Sequence, residues 1–153
     1  MSPRSRTNQL LYQAELLVGL PVCDDEHSPA RRMAIEESAL ALFELALGSL
    51  LKEVTEHARL TSHDWRALLA SDGPDVAELQ RLRDAMQQPE SWLYWLVGQL
   101  ERLHSDDGAA RRAVQNPSMI AVGSQLTLAE QLLENLQAAK RDIASLRETS
   151  QEW

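Results

Sequence analysis

The chain has 153 residues and a formal net charge of −8, so it is an acidic protein long enough to bury one hydrophobic core. No segment forms a basic stripe, and nucleic-acid binding relies on clustered Lys and Arg, so we expect no nucleic acid as a partner. Cys23 is the single cysteine, so an internal disulfide is excluded and a reducing compartment is expected.

The N-terminal stretch has a superficial likeness to a lipoprotein signal that ends at Cys23. Polar residues such as Asn8, Gln13 and Glu15 interrupt the segment that would have to be apolar, so we expect no signal peptide. No run approaches the ~18 consecutive apolar residues of a membrane span. The sequence therefore predicts a cytoplasmic protein without a membrane partner.

The composition favours helices over strands. Leucine occurs 26 times and alanine 19 times, whereas Val, Ile and Thr together number 15. We therefore predict an all-α fold, a single helical-bundle domain over residues 1–153.

The first predicted helix covers about residues 5–18, where Leu and Ala recur at helical spacing. Gly19 is predicted to cap this helix in the left-handed conformation, with Pro21 as a stop signal. Ser28 is predicted as the N-cap of the next helix, with Pro29 in its first turn.

The second helix, from Pro29 towards Thr55 or Arg59, is the predicted centre of the fold. Ten of the thirteen residues from Ala39 to Leu51 are apolar, which is too many for a helix with one face in water. One line along the helix is predicted to be free of large apolar side chains. Glu37, Ala41, Glu44, Gly48 and Lys52 occupy it.

Shorter helices are predicted to follow. They cover about 62–70, 75–86 and 89–104, and a long last helix begins near Ser124 or Thr127 and is followed by a frayed tail over 149–153. The predicted architecture is a single up-and-down-like bundle of five to six helices with helix 2 buried at its centre. The connection over 105–123 is too long to be a plain loop, and we predict that it contains a short helix and an apolar run held in a groove.

No catalytic or metal-binding constellation emerges from the sequence, and we predict no enzyme activity and no cofactor. Glu101 and His104 have the spacing of one metal-ligand pair on a helix, but a di-iron bundle needs a second such pair. Acidic neighbours disfavour the thiolate of Cys23. Glu53 and His57 have the spacing of an ordinary surface pair.

Tandem arginines are the most distinctive polar feature. Arg31 and Arg32 occupy the first turn of helix 2, where the helix dipole disfavours cations, and Arg111 and Arg112 follow Gly108. Neighbouring Asp and Glu side chains account for both pairs, and the alternative is recognition of an acidic or phosphorylated ligand.

Two further features suggest contact with a ligand or partner. In the cluster of Trp92, Tyr94 and Trp95, the tyrosine points away from the Trp92 and Leu96 side of the helix and is the one expected to meet a partner or ligand. Gly48 and Gly98 lie inside helices, where the plain explanation is close approach of two helix backbones. The alternative is that glycine leaves room for a ligand beside Glu44.

Three segments resemble an uncharacterised family of small helical bacterial proteins. They are Arg6-Thr7-Asn8-Gln9-Leu10, the helix over 34–40 and the turn over 116–122. The resemblance covers most of the chain and implies no function. The arrangement of long helices is also similar to that of HEPN bundles, some of which are ribonucleases. Arg59 and His63 have three residues between them instead of the four to six of that signature, so only the architecture is implied.

We therefore expect a non-enzymatic protein-interaction or adaptor module, and self-association into a homodimer is one way in which it could act. A small-ligand or anion-binding domain is the alternative, and a HEPN-like RNA-processing protein is a distant third. The candidate ligand or partner contacts are Arg31, Arg32, Glu37, Glu44, Tyr94, Arg111 and Arg112.

Overall fold

The computed structural model describes residues 1–110 and 126–151, with side chains through Thr149. Within these residues all regular structure is helical, which confirms the all-α prediction. The helices are α1 (Pro3–Val18), α2 (Ser28–Val54), α3 (Trp65–Leu68), α4 (Ala77–Met86), α5 (Trp92–Leu103) and α6 (Leu128–Gln151), with one 3-10 turn at Glu56–Ala58.

α2 is the spine of the bundle, as the sequence predicts. Eight of the thirteen residues over 39–51 are buried, and only Ala41 and Leu45 of this segment are exposed. The exposed line of the helix is completed by Ser38 and Lys52. On the line predicted to be free of large apolar side chains, Lys52 is exposed, whereas Glu37, Glu44 and Gly48 are half-buried.

The three long helices α1, α2 and α6 each contact the other two and are joined by polar contacts. Thr7, near the start of α1, donates a hydrogen bond to Ser49 near the end of α2, so these helices are antiparallel. Glu15 of α1 pairs with Lys140 of α6, whereas the earlier Asn8 accepts a hydrogen bond from the later Arg147. α6 is therefore also antiparallel to α1.

The shorter helices cover the remaining sides of α2 and contact one another. Trp92 of α5 stacks on Phe43 of α2, with 6.0 Å between ring centroids. Arg83 of α4 is buried and donates hydrogen bonds to the backbone carbonyl oxygens of Leu68 and Pro74. This guanidinium satisfies the carbonyl group of Leu68, the last residue of α3, and joins it to the loop that contains Pro74.

Several helix ends differ from the prediction. Gly19 has a φ of −80°, so the predicted left-handed cap is wrong. The N-cap of α2 is His27, because Ser28 is already helical. α5 begins later than predicted, after Ser91, whose hydroxyl accepts a hydrogen bond from the Tyr94 amide. Thr127 caps α6 as predicted, accepting from the Glu130 amide.

The helical path of α6 continues to Gln151, and fraying of the tail stays a prediction. The short helix after Gly108, the turn at Asn116 to Ser118 and the apolar run over 119–122 lie outside the described residues. In the part of the chain that is described, none of the helices has the length and apolar character that crossing a membrane requires.

The glycines inside the helices do not mark close contacts between backbones. A Cβ atom added at Gly48 or Gly98 would meet nothing within 4 Å among the described atoms, so the predicted packing role is not supported. Gly73 is different. A Cβ there would lie 2.8 Å from the carbonyl oxygen of Leu68 and 3.0 Å from that of Ala67.

This contrast predicts opposite effects of the same substitution. Gly73→Ala should lower the free energy of unfolding by about 1–3 kcal/mol, because backbone atoms must shift to admit the methyl group. Gly98→Ala should raise it by up to about 1 kcal/mol, because alanine favours the helix and has room. Urea denaturation measures both, and a stable Gly73→Ala protein would contradict the close packing around α3.

Candidate functional site

Three half-buried carboxylates of α2 are each bound by a different part of the chain. Glu37 Oε1 accepts hydrogen bonds from the backbone amides of Ala109 at 3.1 Å and Ala110 at 3.2 Å. Gly108 precedes these amides with a φ of +74°, a conformation that favours glycine. A Cβ at Gly108 would also collide with Glu37 Oε1. Glu37 therefore holds the chain segment that follows α5.

Glu44 lies two helical turns further along α2. Its Oε2 accepts a hydrogen bond from the indole N–H of Trp65 at 2.9 Å. The Nε2 atom of His104 is 3.0 Å from Oε1 and 2.9 Å from Oε2 of the same carboxylate. This carboxylate joins α3 and the end of α5 to the spine.

Glu53 forms the third such contact, near the end of α2. Arg147 of α6 donates to its two oxygens, from Nε at 2.6 Å and from Nη2 at 3.0 Å. Both side chains are mostly buried, which strengthens a two-point charged hydrogen bond. The sequence prediction that Glu53 pairs with His57 is therefore wrong, since Glu53 faces α6.

The metal-ligand spacing of Glu101 and His104 does not correspond to a shared site. His104 faces Glu44 across the interface, while Glu101 is exposed. Within the described residues, no three His, Cys, Asp or Glu side chains are grouped closely enough to hold a metal ion. The carboxylates of Glu37, Glu44 and Glu53 are occupied by structural partners instead of facing a shared reaction space.

The predicted arginine site is not brought together among the described residues. Arg31 donates a 2.6 Å hydrogen bond to Asp25, the acidic neighbour that the sequence offers, and both side chains are substantially exposed. Arg32 is exposed beside Glu36. Burial raises the pKa of Glu36 above its ordinary value, an effect opposed by Arg32 and reinforced by Glu37. Arg111 and Arg112 lie outside the described residues.

Tyr94 is 49% exposed, as its position on α5 predicts.

A larger apolar surface that sequence reasoning missed lies on α1. Tyr12 is 58% exposed, Leu16 53%, and Leu20, just beyond the helix, 52%. We call these three residues the α1 stripe. Their four-residue spacing was visible in the sequence, but it lies next to the stronger apolar pattern of the buried face.

An open groove of about 630 Å³ lies beside Gly48, between the start of α1, the second half of α2 and the segment before α3. Its lining includes Glu44, as the sequence suggests, but the cationic side chains there are not the predicted arginines. They are Arg6 and Lys52, and the imidazole of His63 lies in the same lining. In the sequence, the one indication of this groove is a glycine inside a helix, at position 48.

The fold and these contacts define a class of protein: an all-helical bundle whose spine carboxylates hold the surrounding segments. A model of a protein family, described as "Family of unknown function (DUF6586)", matches residues 1–153. The chain belongs to this family, which confirms its resemblance to an uncharacterised helical family. No curated protein and no solved structure matches the chain. The weaker similarity to HEPN bundles stays a prediction.

The contact at Glu37 predicts a measurable contribution to stability. Glu37→Ala should lower the free energy of unfolding by about 1–3 kcal/mol, because it leaves two backbone amides without their acceptor. Glu37→Gln should cost less, since its amide oxygen still accepts. Urea denaturation compares both with Glu101→Ala, an exposed control expected to change stability by less than about 0.5 kcal/mol. Equal stability of the two alanine variants would contradict the role of Glu37.

Proposed function

We propose that this protein is a non-enzymatic protein-interaction module that docks through the α1 stripe, and that a second copy of the chain is its first partner. The proposal includes a cytoplasmic location and, from the family resemblance, a bacterial source. The observation that carries it is the exposure of Tyr12, Leu16 and Leu20 along one side of the bundle.

The stripe lies opposite the face by which α1 joins the bundle. Leu10, Leu11 and Ala14 are buried against the other helices, so the helix does not need Tyr12 or Leu16 for its own packing. Large apolar side chains that follow one another at helical spacing on a surface are typical of a docking site for another helix. Tyrosine is also enriched in interfaces, because it adds contact area at a small entropic cost.

Charge favours self-association at this surface over others. Two copies, each with a net charge of −8, repel one another in general. The exposed side chains of α1, however, include no carboxylate. Besides Tyr12 and Leu16 they are Arg4, Ser5, Arg6, Asn8 and Gln13. Two α1 helices can therefore meet without bringing carboxylates into direct opposition, in the self-complementary geometry of a two-fold dimer.

The internal carboxylates support a non-enzymatic role. Glu37, Glu44 and Glu53 are half-buried, and all three accept hydrogen bonds from other parts of the chain. A general acid or base needs access to a substrate proton, which these contacts obstruct.

The proposal predicts that charge placed on the stripe prevents association. A protein with both Tyr12→Glu and Leu16→Glu should remain monomeric at concentrations where the wild type dimerises, because carboxylates would be buried in the interface. Sedimentation velocity over a range of protein concentrations measures this. Leu133→Glu, on the exposed side of α6, is the matched control and should dimerise normally.

The contact area of one helix face is small, so we expect a weak dimer with a dissociation constant of about 1–100 µM. A wild-type protein that stays monomeric well above this range would contradict self-association. A dimer that survives both glutamate substitutions would show that another surface forms the contact.

A further inference from the structure

The groove beside Gly48 is a second surface, separate from the α1 stripe. Gly48 and Leu45 of α2 form part of its wall, and the buried side chain of Leu10 borders it from α1. Arg6, Lys52 and His63 also line the groove. The groove therefore combines apolar wall positions with cationic side chains.

No packing contact among the described residues explains why position 48 is a glycine. Glycine destabilises the interior of a helix relative to alanine, yet a Cβ at this position would meet no described atom within 4 Å. The space that a side chain would fill is part of the groove instead. Its volume, about 630 Å³, is within the range of small-molecule sites.

Within the described residues, the cationic side chains of the groove are not paired with carboxylates. No ion pair there involves Arg6 or Lys52, although the protein as a whole is acidic. Arg6 donates one hydrogen bond to the neutral side chain of Gln9, which leaves most of its donors available. Glu44 is the carboxylate in the lining, and both its oxygens are engaged by Trp65 or His104.

We propose that this groove binds a small organic anion that has an apolar body. Its carboxylate, phosphate or sulfonate group would pair with Arg6 and Lys52, and its apolar part would lie over Gly48 against Leu45. Arginine and lysine both form charged hydrogen bonds with such groups. Because the apolar body needs the space left by glycine, a larger side chain at position 48 blocks the site.

The test uses the fluorescent probe anilinonaphthalene sulfonate, with decanoate as a competing carboxylate. The wild-type protein should bind the probe saturably at one site, and decanoate should displace it. Gly48→Leu should weaken binding at least about tenfold while the protein keeps its thermal stability, because leucine favours the helix and fills the groove. Gly98→Leu, the same change at an open position on α5, should bind as the wild type does.

Charge removal provides a second, independent variant. Arg6→Gln combined with Lys52→Gln should weaken binding about tenfold, because charged hydrogen bonds to the anion are lost. Arg4→Gln combined with Arg141→Gln removes the same net charge outside the groove and should leave binding within about twofold of the wild type.

The results distinguish this proposal from the proposed function. The Tyr12→Glu, Leu16→Glu protein should bind the probe normally, since the α1 stripe lies apart from the groove. Loss of binding in that variant would assign the probe to the stripe and overturn the groove proposal. Unchanged binding in Gly48→Leu, or in the Arg6→Gln, Lys52→Gln protein, would also overturn it, whatever the oligomeric state.

Discussion

The burial of α2 is the constraint on which the rest of the structure depends. The polar side chains that such an enclosed helix turns towards its neighbours are shielded from water, so they need partners from other segments. Glu37 binds the amides after Gly108, Glu44 binds Trp65 and His104, and Glu53 binds Arg147. Because these partners belong to different elements, the polar residues of one helix determine where the surrounding segments attach.

The tryptophan side chains that pack on the core follow the same rule, because each indole N–H needs a hydrogen-bond acceptor. Trp65, Trp92 and Trp95 place their rings against the core, and each donates its N–H group to a polar side chain of α2 or α6. A tryptophan buries a large apolar area but carries one donor that must be satisfied. These contacts give an otherwise leucine-rich core a specific arrangement, because leucine packing alone tolerates many alternatives.

The sequence was sufficient to predict whatever depends on local pattern. Helix positions follow from apolar periodicity, and the pairing of Arg31 with Asp25 joins residues six positions apart. The partners of Glu37 could not be predicted, since Ala109 and Ala110 lie more than seventy residues away and contribute only backbone amides. The left-handed cap predicted at Gly19 was wrong because glycine permits the left-handed conformation but does not require it.

The enclosed spine also explains why we assign function to the outside of the molecule, where the α1 stripe and the groove beside Gly48 are accessible. Amide hydrogen exchange tests this account most directly. If α2 is enclosed, the amides of residues 39–51 should exchange only through global unfolding, with a free energy equal to that from urea denaturation, and those of α4 should exchange faster. Exchange of the α2 amides as fast as those of α4 would contradict the central position of this helix.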